Sequence, residues 1–387
     1  MSKRLIICCD GTWNTPNQAD GGRPALTNVA KVALSISPSD KSGVEQRVHY
    51  QHGVGVSRSE HFLGGVFGYG LSRNVLDAYR FVVENYEIGD ELFFFGFSRG
   101  AFTARSTVGL IRNAGILRRE NLARIDEAYA LYRNRAVHPN DVASQLFRRS
   151  YSTESRIAFI GVWDTVGALG VPLGEVPILK KISSKWTFHD TKLSSTVDAA
   201  YQALAIDEER LPFKPAIWEP QADSKEQTVE QVWFSGVHSD VGGGYVETDL
   251  SDISLTWMVH RATSSGLEFT PRTIIPAPGA IALSSSVTAR VKPEAKGKLH
   301  HSRKSFYRLM HRYIRPIGHE DAKHEYAAST AVERRHAKEC NYAPDGLVRY
   351  LKIPDAPIKD VLRAAQVEGI REAVTENAVD DRLVPAT

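Results

Sequence analysis

The sequence predicts an α/β fold in three layers, a mostly parallel sheet with helices on both faces. Short apolar runs rich in β-branched and aromatic residues alternate with longer amphipathic stretches, the pattern of βαβ units. The runs fall at 5–9, 47–51, 91–95, 156–163 and 229–235. Between the second and third, Leu71, Val75, Ala78, Tyr79, Val82 and Tyr86 repeat at helical spacing, and Gly89-Asp90 stops the pattern. A second helix is expected from Gly100 through Phe102, Ala104, Val108 and Ile111 to a stop at Asn113-Ala114-Gly115. Gly64, Gly65, Gly68 and Gly70 read as a rim ahead of the first helix; without a following Gly-Lys-Ser/Thr they do not form a nucleotide-phosphate loop.

Composition supports a folded chain. Of 387 residues, 42% are hydrophobic and 24% charged, which excludes disordered, collagenous and coiled-coil classes. A net charge of +3 gives no ground for a nucleic-acid partner. Cys8 and Cys9 are adjacent and Cys340 is distant, a spacing that builds neither a disulfide framework nor a zinc site. The apolar run at 5–9 is too short for a signal peptide, and no run approaches the ~18 residues of a membrane span. The expectation is a chain made in the cytoplasm, with export only by a dedicated secretion system.

Two regions are expected: a catalytic domain over 1–270 and a basic, mainly helical extension over 271–387, packed on or capping the core. Pro271, Pro276, Pro278 and the serines at 284–286 mark the join. From Arg290 to Arg315, nine Lys or Arg face one acid, Glu294. Phe306, Leu309, Met310 and Tyr313 fall at helical spacing, so 290–315 reads either as a helix packed on the core or as a basic amphipathic helix touching an anionic membrane.

The sharpest motif is Gly96-Phe-Ser98-Arg-Gly100, entered from an apolar strand and followed by a helix. This is the context of a nucleophile elbow: small flanking residues permit a strained turn that lifts a serine hydroxyl above the sheet beside a helix N-terminus. A serine needs a base, and the base an acid to orient it. Downstream, one strand ends in Asp164 and another in Gly236-Val-His238-Ser-Asp240, so Ser98, Asp164 and His238 follow the chain order of an α/β-hydrolase. Asp240 is the alternative acid, with His301 or His324 then supplying the imidazole. For the oxyanion, the Arg99 amide is one expected donor and Gly11 or Thr12, after the first strand, the other. No cofactor is required. Rival readings are a metal-dependent hydrolase using Asp10, Asp164, His238 and Asp240, and a binding module whose serine is inert.

Five segments together resemble one family: Cys9-Asp-Gly-Thr-Trp-Asn14, Gly96-Phe-Ser-Arg-Gly-Ala-Phe-Thr-Ala-Arg105, Gly161-Val-Trp-Asp-Thr-Val-Gly167, Ala205-Ile-Asp-Glu-Glu-Arg210 and Trp233-Phe-Ser-Gly-Val-His-Ser-Asp-Val-Gly-Gly-Gly-Tyr245. In this order they are similar to the α/β-hydrolase family that includes the Tle-type phospholipase effectors of the bacterial type VI secretion system. The resemblance covers residues 4–260. It implies a three-layer hydrolase core, a triad of Ser98, Asp164 and His238, and cleavage of carboxylic esters, with phospholipid acyl esters as the effectors' substrates.

Overall fold

The computed structural model describes residues 2–11, 19–20, 23–53, 64–167, 192–219, 227–270, 291–304, 307–308, 311–319 and 323–362. Its centre is an eight-stranded sheet. In chain order the strands are β1 (Arg4–Cys9), β2 (Gln46–Gln51), β3 (Glu91–Phe97), β4 (Ile157–Trp163), β5 (Val197–Ala205), β6 (Thr228–Phe234), β7 (Glu325–Ala328) and β8 (Ile358–Lys359). They lie side by side as β8-β7-β6-β5-β4-β3-β1-β2, every neighbouring pair parallel.

Alternation along the strands explains the layers, because successive side chains of a strand point to opposite faces. Ile6, Cys8, Phe93, Phe95 and Phe97 feed one apolar cluster; Leu5, Ile7, Cys9, Leu92 and Phe94 feed another. The first is covered by α1 (Asn28–Ser35), through Val29 and Val32, and by a long helix over Asp249–Ser264, through Leu250, Ile253, Trp257 and Met258. The second is covered by α2 (Gly64–Asn85), through Val75, Tyr79 and Val82, and by α3 (Arg99–Ala114), through Ala104, Val108 and Ile111. Phe95, Phe159, Tyr201 and Trp257 form a file of rings 5.2–5.9 Å apart that ties β3, β4 and β5 to the Asp249–Ser264 helix. Each such burial stabilises the fold by about 1.5–3 kcal/mol.

The order of strands places the site. The chain passes from β1 to β2 on one side, then crosses over β1 to β3 on the other, so connections diverge beyond the carboxyl ends of β1 and β3. Such a switch point leaves a crevice at the sheet edge. Ser98 follows β3 immediately.

Three strands were not expected from the sequence. β5 is rich in alanine and opens with Val197-Asp198, a poor match to strand propensity; it forms because β4 and β6 pair with it on both sides. β7 and β8 are short, and they put the C-terminal region into the main sheet, where a mainly helical extension was expected. That region does hold helices at Ser329–His336 and Asp345–Tyr350. Gly64, Gly65, Gly68 and Gly70 lie inside α2, not ahead of it. The proposed join at 271–290 lies outside the described residues.

Candidate active site

The elbow is built by close backbone approach. Ser98 sits at φ 58° and ψ −120°, a region costly for any residue but glycine, on the order of 1–3 kcal/mol. Its amide donates to Trp163 O at 3.0 Å, fixing the turn to β4. The neighbouring glycines make room: a Cβ on Gly96 would stand 2.6 Å from Ala101 Cα, and one on Gly100 2.1 Å from Cys9 O and 2.4 Å from Asp10 O. Backbone atoms of a central strand cannot yield that distance. Gly100→Ala is therefore expected to destabilise the protein by about 3 kcal/mol or more. Gly167→Ala, where nothing lies within 4 Å, is expected to stay within about 0.5 kcal/mol; urea titration of the two compares them.

His238 opens α4 of the site layer, a five-residue helix (His238–Gly242) that begins after the Ser235-Gly236-Val237 turn closing β6. Its Nε2 lies 2.8 Å from Ser98 Oγ and its Nδ1 2.5 Å from Asp164 Oδ2. The rings of Phe97 and Phe213 pack on the imidazole, with centroids 4.6 and 5.0 Å away. The turn carrying His238 is clipped in place by α1: Asn28 Nδ2 donates to Val241 O and Ser251 O, both at 2.9 Å. Asp164 follows β4 at φ 40° and is fully buried.

Asp164 is held by more than histidine. Arg315, also fully buried, donates from Nη1 to Oδ1 at 2.5 Å and from Nη2 to Oδ2 at 3.0 Å, and Ala205 N donates to Oδ1 at 3.0 Å. Burial by itself drives the Asp164 carboxyl up, but the Arg315 charge and the His238 hydrogen bond outweigh it and hold the group well below the carboxylate range. With Asp164 ionised, Nδ1–H of His238 donates to it and Nε2 is left to accept the Ser98 proton. Arg315 reaches this position because the chain before it pairs with the segment after β5: Arg210 and Arg312 form a bridge, and Tyr313 N donates to Glu209 O at 3.0 Å. Its Nη groups also cap Ala205 O and Phe213 O, at 2.8 and 2.7 Å.

A second acid–guanidinium pair flanks the histidine. Buried Glu208 accepts from His238 N at 3.3 Å and from Arg210 Nε and Nη2, each at 2.8 Å. Burial opposes ionisation of Glu208, and Arg210 overcomes it, so its net shift is downward. Arg210 stacks on Phe213, 3.6 Å from the ring centre.

The other expected residues are placed as follows. The Arg99 amide opens α3, whose peptide dipoles point their positive end at Ser98. Gly11 N–H donates to Asp10 Oδ1 at 2.6 Å, so an oxyanion donor at Gly11 requires that amide to leave Asp10; Thr12 lies outside the described residues. Asp10 also accepts from Thr27 Oγ1 at 2.7 Å and Tyr50 OH at 2.5 Å, and burial pushes its carboxyl up despite these bonds. Asp240 pairs with His300 Nδ1 at 2.6 Å, and the Ser98 imidazole partner is His238, not His301 or His324. Asp10 and Asp240 are thus engaged elsewhere, and among the described residues no three His, Cys, Asp or Glu side chains converge as a metal site would.

Both helical readings of 290–315, packed on the core or lying on a membrane, are corrected over its described residues. Residues 291–304 and 311–319 contain no α-helix, and Phe306, Leu309 and Met310 lie outside the described residues. Several of its cations pair with acids, Lys296 with Glu339, Lys298 with Glu247 and Arg312 with Glu209 at the surface, and Arg315 with Asp164 in the interior. Sequence reasoning missed Arg315 because the pair spans 151 positions and the residue sits in a run that looks uniformly solvated.

Residues 3–261 match the family model described as T6SS, phospholipase effector Tle1-like, catalytic domain. The chain is 27% identical over 242 residues to the uncharacterized protein YEL023C of Saccharomyces cerevisiae, covering 56% of this chain and 33% of the yeast protein. It also aligns with the crystal structure of an uncharacterized protein from Pseudomonas aeruginosa at 19% identity and a TM-score of 0.43, over 69% of this chain and 46% of that one. The chain therefore spans about a third of the yeast protein and under half of the Pseudomonas one. Ser98, Asp164 and His238 fall within the matched span, Arg315 beyond it. On that match, the chain belongs to the Tle1-like phospholipase effector family, through its catalytic domain.

Proposed function

We propose that the protein is a serine hydrolase of carboxylic esters, acting on phospholipid acyl esters. The observation that carries this reading is His238 standing between Ser98 Oγ at 2.8 Å and a buried, ionised Asp164 at 2.5 Å. His238 Nε2 takes the Ser98 proton as Oγ attacks the ester carbonyl. The amide of Arg99, at the N-terminus of α3, donates to the developing oxyanion, and Gly11 N–H joins it once it leaves Asp10 Oδ1. The imidazolium then protonates the departing alcohol, and an acyl group remains on Ser98. Water, deprotonated by the same imidazole, releases the acid.

The family description supports a lipid substrate, and the Phe97 and Phe213 rings give the histidine an apolar surround. Among the described residues no helix is long and apolar enough to cross a membrane. Contact with an anionic lipid surface falls to exposed lysines and arginines of 290–315, Lys292, Lys304 and Arg308 among them. Export by a type VI system is the route the family supports.

Incubation with phospholipid vesicles separates the outcomes. Fatty acid and lysophospholipid are expected products, absent with Ser98→Ala; release of the phosphorylated headgroup, or no ester cleavage by the native protein, contradicts the reading. Vesicle binding is expected to fall as salt rises through physiological strength and to weaken in Lys304→Glu/Arg308→Glu. Binding indifferent to both removes the membrane contact.

A further inference from the structure

The surroundings of His238 are electrically balanced. Asp164, at the end of β4, is paired with Arg315; Glu208, after β5, is paired with Arg210. On its own helix, Asp240 is taken by His300. Two carboxylates, each with its own guanidinium, thus sit beside His238, Asp164 on ring Nδ1 and Glu208 on the backbone N–H, while Nε2 meets Ser98 and the rings of Phe97 and Phe213 pack on the imidazole. An acid that meets histidine alone lends its whole negative charge to the imidazolium. Asp164 does not, because both its oxygens are gripped by the fork of Arg315, the geometry in which a guanidinium binds a carboxylate most strongly.

We propose that Arg315 is a positioning residue for the Ser98 reaction: its guanidinium fork locks the Asp164 carboxylate under His238 and offsets its charge. The inference rests on the serine-hydrolase reading. Two features support a role beyond packing. The side chain is completely buried, a costly place for a cation unless its partner repays it. And its two Nη groups donate to the Asp164 oxygens and to the carbonyls of Ala205 and Phe213, the latter the residue whose ring packs on the imidazole.

The sign follows from the charges. Neutralising residue 315 leaves the Asp164 charge uncompensated, the imidazolium gains stability, and His238 holds its proton to higher pH. In Arg315→Met the acid limb of reactivity is expected to rise by about one pH unit, which is a tenfold loss of reactivity below the limb. Arg315→Lys keeps the charge but loses the fork; its limb is expected to stay with the native protein's while the plateau falls.

The test is the rate at which a fluorophosphonate modifies Ser98 between about pH 5 and pH 9, for the native protein and both variants. A limb raised in Met and unmoved in Lys supports the inference. A slower plateau with the same limb in both makes Arg315 a structural brace and overturns it. Where Arg315→Met does not fold, Arg210→Met asks the same question of the other pair, from a side chain that is 16% exposed: uncovering Glu208 raises the limb, and an unmoved limb overturns the charge-balance inference. A native protein that takes no label at Ser98 removes the hydrolase reading itself, a result distinct from labelling with an unshifted limb.

Discussion

Alanine at position 98 is expected to lower ester hydrolysis by roughly 10⁵-fold or more, the scale on which serine hydrolases lose turnover when the nucleophile goes. Folding should survive, because among the described residues Ser98 Oγ bonds to His238 Nε2 alone. Glycine at the same position should do something alanine cannot. The backbone at φ 58° and ψ −120° is strained for every side chain and relaxed for glycine, so Ser98→Gly is expected to be inactive yet more stable by about 1 kcal/mol. Activity loss joined to a stability gain identifies a residue kept for chemistry at a structural cost. Equal stability of the native and glycine forms would show the turn to be unstrained.

Asparagine at Asp164 is expected to fail twice. An amide cannot hold the Nδ1–H tautomer, and the corresponding loss of turnover is about 10⁴-fold. It also leaves Arg315 buried without its counter-ion, which costs about 3–5 kcal/mol. In the native protein the same pairing sets an acid limit. Because Asp164 is depressed in the fold, its contribution is complete above about pH 4, where the unfolded group ionises, and is lost as pH falls through the depressed folded value. Stability of Asp164→Asn measured by urea titration across pH should therefore lack part of the native protein's acid dependence. A variant as stable as the native chain at neutral pH would mean that the Asp164–Arg315 pair contributes nothing.

How much of this is legible in the sequence depends on range. The Gly96-x-Ser98-x-Gly100 turn is local: its glycines answer to contacts with Ala101 and with the end of β1, and the pattern announces itself. Asp164 and His238 are each legible as the residue beyond an apolar strand, since a parallel sheet delivers all its carboxyl ends to one edge. The fold class followed from the same runs. β5 was not legible, because Ala-rich residues 199–205 become a strand only when two neighbours pair with them. Nor was the partner of Asp164. In the sequence Arg315 is one cation of nine in a basic run; only the backbone bridge between Arg210 and Arg312 brings it inside. Charge runs average over positions, and burial acts on one residue at a time.

The most direct measurement is fluorophosphonate labelling at neutral pH, mapped by mass spectrometry, on the native protein and on Ser98→Ala and His238→Ala. The expected result is a single adduct on Ser98, absent from Ser98→Ala and slowed by several orders of magnitude in His238→Ala. A folded native protein that takes no adduct, or takes it on a different residue, contradicts the account of Ser98 as a nucleophile activated by His238.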